Sequence, residues 1–284
     1  MCSDNLSKVT AGMPVYNGAL FIENSIRSLM AQTYLPSLIV VDNHSNDSTC
    51  KIVSGLKDEF RNIELHSNSE NLGPTKNFLL TFFHCKTEYF FWAAADDLWS
   101  NDWIEKLLNK AEASQAALTF GNVKIMDQDG LIMPHPSNMG NLQYMNSSSE
   151  LVRCLSFFMQ PEIYGQSSPI YGLFNKKILS ELLSDYHFIE ETYVDYLFIS
   201  KFLISHPVEF ANATHYKRIH SASWTDAEKG GKNFKGHWSY ISYLSRFIVR
   251  SSVTYKVLFT LMLPFKLGRI IILRLTKKCL HFRY

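Results

Sequence analysis

Leu38-Ile39-Val40-Val41 is apolar at every position and stops abruptly at the polar run Asp42-Asn43-His44-Ser45-Asn46-Asp47-Ser48-Thr49. A strand without polar alternation is one covered on both faces, as happens when helices sandwich a parallel sheet. The polar run then lies at the strand's carboxyl end, where open α/β sheets bind their ligands.

The same arrangement recurs on either side. Residues 8–13 read as a strand that ends at Pro14, and Asn17-Gly18 turns the chain into a helix over 19–32. Residues 63–66 make a third strand, and Asn71-Leu72-Gly73-Pro74 leads into a helix over 75–84. The aromatic run Tyr89-Phe90-Phe91-Trp92 makes a fourth strand, ending at Ala93-Ala94-Ala95-Asp96-Asp97. Three strand ends therefore carry polar loops that should converge. A helix over 102–113, a strand over 117–125 and the turn Asp127-Gln128-Asp129-Gly130 suggest a hairpin, so the sheet should become mixed. Residues 134–148, rich in Pro, Asn, Ser, Gly and Met, read as a surface loop, and helical patterns return over 150–158, 175–183 and 193–205. The fold class is α/β. With 46% hydrophobic residues the chain buries a large core and is not disordered.

Charge divides the chain. Up to Glu228 there are 16 Lys+Arg against 26 Asp+Glu, whereas Lys229 to Tyr284 holds 12 Lys+Arg and no acidic residue. Residues 236–284 also hold the aliphatic clusters Val257 to Leu263 and Ile270 to Leu273 between those cations. Such a helical segment suits an anionic membrane surface, with cations among headgroups and apolar faces in the acyl boundary; docking on the acidic N-terminal part is the alternative. The abundance of interleaved aliphatic residues argues against nucleic acid as a partner. Five scattered cysteines without Cys-x-x-Cys pairs fit a reducing compartment, and the first residues carry no apolar leader-like stretch, so a cytoplasmic, peripherally membrane-attached protein is expected.

Several residues could carry chemistry, each with a plain structural alternative. Asp96 and Asp97 are hard oxygen ligands suited to Mg²⁺ or Mn²⁺, or an N-cap for the next helix. Asp42 and Asn43 can read a base or ribose, or form an Asx-turn. Pro14, Tyr16 and Asn17 can frame a base or simply turn the chain. No Gly-x-Gly-x-x-Gly and no Walker-type phosphate loop is present, which disfavours dinucleotide oxidoreductases and P-loop ATPases. Bound phosphates would then need a metal, helped by Lys76 or His220.

Taken in order, Met13-Pro14-Val15-Tyr16-Asn17-Gly18, Ser25 to Tyr34, Val40 to Thr49, Asn71 to Asn77 and Tyr89 to Trp99 resemble glycosyltransferase family 2, inverting enzymes with a GT-A fold. The resemblance covers about residues 8–224. It implies a GT-A type, Rossmann-like mixed sheet flanked by helices, with a catalytic domain over 1–225. Its nucleotide-sugar half would span about 1–125 and its acceptor half about 126–225, leaving 226–284 as the helical, basic, membrane-associating extension. It implies that Pro14, Tyr16, Asn17, Asp42, Asn43, Asn71, Lys76 and Asp96 bind the nucleotide sugar. Asp97 would be the main ligand of Mn²⁺ or Mg²⁺, with Asp96 and His220 contributing. Ala94 stands where many members carry a further Asp. The matching late element, Tyr193 to Ile199, makes Asp195 the general base, with Glu190 and Glu191 as rivals. Tyr216 to Ser223 resembles the basic segment that closes over the diphosphate, and Ile170 to Phe174 the acceptor-side floor. The implied function is sugar transfer from a nucleoside-diphosphate sugar to a glycan or lipid-linked acceptor, in cell-envelope or exopolysaccharide synthesis. A nucleotidyltransferase of related architecture and a non-catalytic nucleotide-sugar-binding membrane scaffold are the competing readings.

Overall fold

The computed structural model describes residues 7–135, 138, 147–160, 168–184, 194–219 and 253–279. In chain order these give β1 (Val9–Val15), α1 (Ile22–Met30), β2 (Ser37–Asp42), α2 (Thr49–Glu59), β3 (Ile63–Ser67), α3 (Pro74–Phe83), β4 (Tyr89–Trp92), β5 (Leu98–Trp99), α4 (Trp103–Ser114) and β6 (Leu118–Met126). There follow α5 (Glu150–Met159), a 3-10 turn (Ser168–Tyr171), β7 (Leu173–Asn175), α6 (Lys176–Ser184), α7 (Val194–Ser205), β8 (Val208–Arg218) and α8 (Val253–Cys279).

The strands form one sheet in the order β3-β2-β1-β4-β7-β6-β8-β5. The pairs β3-β2, β2-β1 and β1-β4 are parallel, whereas β7 runs antiparallel to both β4 and β6. The mixed sheet flanked by helices is thus the one the sequence implies. The expected hairpin after β6 shrinks to a turn closed by the single antiparallel bridge Met126↔Ile132. The long partner of β6 is instead the distant β8, paired in parallel. The surface-loop assignment over 134–148, and the candidates His220, Glu190 and Glu191, fall largely or wholly outside the described residues.

Side-chain alternation along β1 and β4 splits the core between the two faces of the sheet. Val9, Ala11, Met13 and Val15 join Tyr89, Phe91 and Ala93 under α1, α2 and α4. Phe90 and Trp92 face the other way, into a cluster with Phe157, Phe158, Phe174, Phe198, Phe202 and Phe259. Gly12 lets α3 approach on that second face, because a Cβ there would lie 2.5 Å from the Phe90 ring and 2.8 Å from Thr81 Cβ. Proline inside a central strand is ordinarily excluded because it cannot donate to the ladder. Pro14 is tolerated because the β1-β4 pairing already ends at Gly12↔Trp92. The strand order reverses its sense at β1, with β2 on one side and β4 on the other. The carboxyl ends of these three strands are where a ligand crevice is expected.

Candidate active site

The loops after β1 and β2 are bound to each other. Asn17 takes φ +52°, and its N–H donates to Ser45 Oγ at 2.8 Å, while its Oδ1 accepts from the Asn46 N–H at 3.0 Å. Gly18 N–H donates to Thr49 Oγ1 at 2.9 Å and Ala19 N–H to Asp47 Oδ2 at 3.1 Å. Burial works against ionisation of Asp47, but hydrogen bonds from Thr49 and Ala19 outweigh it and hold its carboxyl below the usual range. Tyr16 is half exposed above this junction.

Asp42, at the tip of β2, is 1% exposed. Its Oδ2 accepts the Ser45 N–H at 3.0 Å, the Asx-type turn that ends the strand. Its Oδ1 is buried without a hydrogen-bond partner. The Cys50 thiol, pushed up chiefly by burial and further by the nearby Asp42 carboxylate, also lies 3.7 Å from Ser67 Oγ. A buried acceptor left open calls for a donor from elsewhere.

Asn43 is spent inside the protein. Its Nδ2 donates to Asn71 Oδ1 at 2.8 Å and Gly73 O at 3.4 Å, and its Oδ1 accepts from Asn68 Nδ2 at 3.0 Å and Leu72 N–H at 2.9 Å. Asn68 continues to Asn77 Oδ1 at 2.9 Å, and Asn77 Nδ2 reaches Val41 O at 3.0 Å. Asn43 and Asn71 therefore shape the loop before α3, where Gly73 (φ +82°) admits the turn into Pro74. Lys76 is exposed in the first turn of α3. Asn43→Ala should leave several of these polar groups unpaired and lower stability by about 1–3 kcal/mol. Chemical denaturation checks this, and an unchanged midpoint would mean that water replaces the network without cost.

The acidic pair is not a helix cap: α4 starts at Trp103 behind Asp102, after β5 intervenes. β5 pairs antiparallel with β8, Leu98↔Tyr216 and Trp99↔His215, which brings β8 against the pair. Asp97, 1% exposed, meets His215 Nε2 through Oδ2 at 2.7 Å and accepts the Arg218 N–H on Oδ1 at 2.7 Å. His215 is stacked on Trp99 (centroids 5.6 Å, interplanar 6°), with Trp103 and Tyr171 beside it. Arg218 donates from Nε to Asp96 O at 2.9 Å and from Nη1 to Asp127 O at 2.9 Å and to Gln128 O, with its guanidinium 4.6 Å from the Phe21 ring. Asp96 is half-buried next to this clamp.

Asp195 lies in the first turn of α7 and lines a cavity of about 230 Å³ with Thr75, Phe78 and Leu79 of α3, Trp92 of β4, and Ile170 and Tyr171. The Tyr171 phenol links this cavity to the acidic pair. It is pushed up by burial first, then by the carboxylates of Asp97, Asp195 and Asp96. Lys217 Nζ stands 5.5 Å from the Tyr171 ring centre. Asp96, Asp97 and Asp195 thus all act on the Tyr171 phenol, although only Asp195 lines the cavity itself. The sequence reading did not single out His215. Its signal was the apolar alternation Ala211, Ala213, His215 along β8, all three buried.

Asp97 turns both oxygens to β8, and no group of three or more His, Cys, Asp or Glu gathers around one point among the described residues. The donor set suits a hard divalent cation only as one shared with another oxygen-rich ligand, since Mg²⁺ is commonly held by one or two carboxylates plus phosphates.

A Haemophilus influenzae protein described as an uncharacterized glycosyltransferase is 28% identical over 127 residues, 44% of this chain and 51% of that protein. A poly(ribitol-phosphate) beta-glucosyltransferase of Bacillus spizizenii is 28% identical over 131 residues, 44% of this chain and 20% of its own length. The chain therefore spans about half of the first relative and a smaller part of the second. Among solved structures, residues 1–349 of S. aureus TarS, crystallised with UDP-GlcNAc, share the GT-A fold at TM-score 0.56 and 17% identity, over 75% of this chain and 59% of that one. The model of the family described as glycosyl transferase family 2 matches residues 10–182. With that match across most of the sheet and the acidic pair inside it, the chain belongs to glycosyl transferase family 2.

Proposed function

We propose that the protein transfers a sugar, with inversion, from a nucleoside-diphosphate sugar to a hydroxyl of a glycan or lipid-linked acceptor in cell-envelope or exopolysaccharide synthesis. The observation that carries the proposal is the open, buried Oδ1 of Asp42 at the junction of the first two loops, an acceptor awaiting a base or ribose donor. Pro14, Tyr16 and Asn17 frame that position, Asn43 and Asn71 hold the loop that borders it, and Lys76 supplies positive charge. UDP is the first donor class to try, because the TarS crystal holds UDP-GlcNAc and another holds UDP. The name of the Bacillus relative makes a polyol-phosphate polymer one acceptor to test.

In the proposed reaction Asp195 accepts the proton of the acceptor hydroxyl as that oxygen attacks the anomeric carbon. The bond from that carbon to the diphosphate breaks on the opposite face, and the nucleoside diphosphate leaves. Asp96 would hold Mn²⁺ or Mg²⁺ together with the diphosphate, Asp97 behind it fixing the loop, and the ion would neutralise the charge of the departing group. The catalytic unit is assigned to 1–225, with the basic extension 226–284 attaching it peripherally to an anionic membrane surface on the cytoplasmic side.

Thermal-shift screening of nucleoside diphosphates and their sugars, with and without Mn²⁺, tests the donor assignment. A ligand at a hundred times its Kd should add about 2.7 kcal/mol of stability. UDP is expected to do so, and more strongly with Mn²⁺. Failure of every nucleotide to shift the transition, or release of pyrophosphate in place of a nucleoside diphosphate during turnover, would remove the transferase reading.

A further inference from the structure

The outer face of α8 is built the wrong way round for a helix in water. Its inner face packs on α5: Phe259 stacks on Phe158 with centroids 4.7 Å apart, and Tyr255 stacks on Phe259 at 5.5 Å. Lys266 is 1% exposed, and its ammonium donates to Phe158 O and, at 3.2 Å, to Gln160 O, capping the carbonyl end of α5. A buried lysine tied to two carbonyls fixes the helix's rotation, so what faces outward is set.

Between Tyr255 and Gly268 the exposed residues are Val257, Thr260, Leu261, Pro264 and Phe265, spaced as one helical stripe. Val257 is 59% exposed, Leu261 62% and Phe265 66%. Thr260 turns its hydroxyl back to Lys256 O at 2.6 Å. No charged side chain stands on this stripe. Ordinary surface helices of the same molecule expose charge: Glu23 and Arg27 on α1, Glu105 and Lys106 on α4.

We infer that this stripe is the surface by which the protein lies on an anionic lipid bilayer, with Val257, Leu261 and Phe265 in the acyl boundary. The occupant follows from charge. The 56-residue region containing the stripe has 12 Lys+Arg and no carboxylate, complementary to anionic headgroups, whereas a second copy would set that region against its own like charge. Among the described residues no helix is long and apolar enough to cross a membrane, so the contact is interfacial. The inference rests on the membrane part of the proposed function and is independent of the transfer chemistry.

The test is co-sedimentation of the full chain with phosphatidylcholine vesicles with and without phosphatidylglycerol. Binding is expected only to the anionic vesicles, and Leu261→Glu/Phe265→Glu should weaken it by at least about tenfold. Leu261→Ser/Phe265→Ser repeats the test should the glutamates disturb folding, and Phe83→Ser, an exposed apolar site on α3, should change nothing. Thermal midpoints and nucleotide-sugar hydrolysis in solution, unchanged in the variants, separate loss of docking from loss of the fold or of the active site. Vesicle binding equal in all variants, or equal for neutral and anionic lipid, overturns the inference. So does a dimer seen by light scattering that the serine variants abolish.

Discussion

Asp195→Asn is expected to lower kcat for sugar transfer by roughly 10²–10⁴-fold while leaving nucleotide affinity nearly unchanged. The substitution keeps the size of the side chain but removes its negative charge and with it the ability to take a proton. Asp195 is the one carboxylate lining a cavity walled mostly by apolar side chains, Phe78, Leu79, Trp92, Ile170 and Phe198. Nucleotide affinity should survive because the loops after β1 and β2 are held by their own hydrogen bonds, none of which reaches α7. Steady-state kinetics together with UDP titration give the two numbers. Full turnover in the variant would pass the role to Glu190, Glu191 or another group.

The second large effect concerns Asp97 and His215. Removing either partner of a buried hydrogen bond to a carboxylate strands the other, at a cost of roughly 1.5–3 kcal/mol. Asp97→Ala and His215→Ala should each destabilise by an amount of that order, and the double variant by much less than the sum. Both should also depress kcat, since Asp96 lies in the same loop and Arg218 joins its carbonyl to β8. Denaturation of the four proteins in the cycle measures the coupling. Additive losses would mean that the 2.7 Å contact contributes nothing specific.

Much of this site was legible because its parts are local in sequence. The halt of the apolar run at Asp42, the Asn17-Gly18 turn and the Gly73-Pro74 entry to α3 each state their geometry within a few residues. What escaped notice depends on distance or on weak periodicity. His215 stands 118 residues from Asp97, and only the β5-β8 pairing, two residues long on one side, brings them together. Asn68 and Asn77 read as ordinary polar positions until the loops close over them. The helix α2 was not foreseen because it buries only Thr49, Val53 and Leu56, and Ser54-Gly55 interrupts its apolar stripe. The hairpin expected after β6 gave way to pairing with β8, a partner no short-range signal names. The C-terminal region illustrates a different mixture: its charge was plain in the sequence, but which of its apolar residues face inward is decided by Lys266 and Phe259 against α5.

The anchoring of the acidic loop by β8 also limits how the chain can be rebuilt. A chimera joined just after Met126 would take β8 from the incoming sequence and with it the His215 and Arg218 contacts to Asp97 and Asp96. A graft that instead retained Val208 to Arg218, replacing only segments before β8, would leave the acidic loop seated. Segments between β6 and β8 can therefore be exchanged with the loop's support retained, whereas a simple cut after Met126 severs the loop from it.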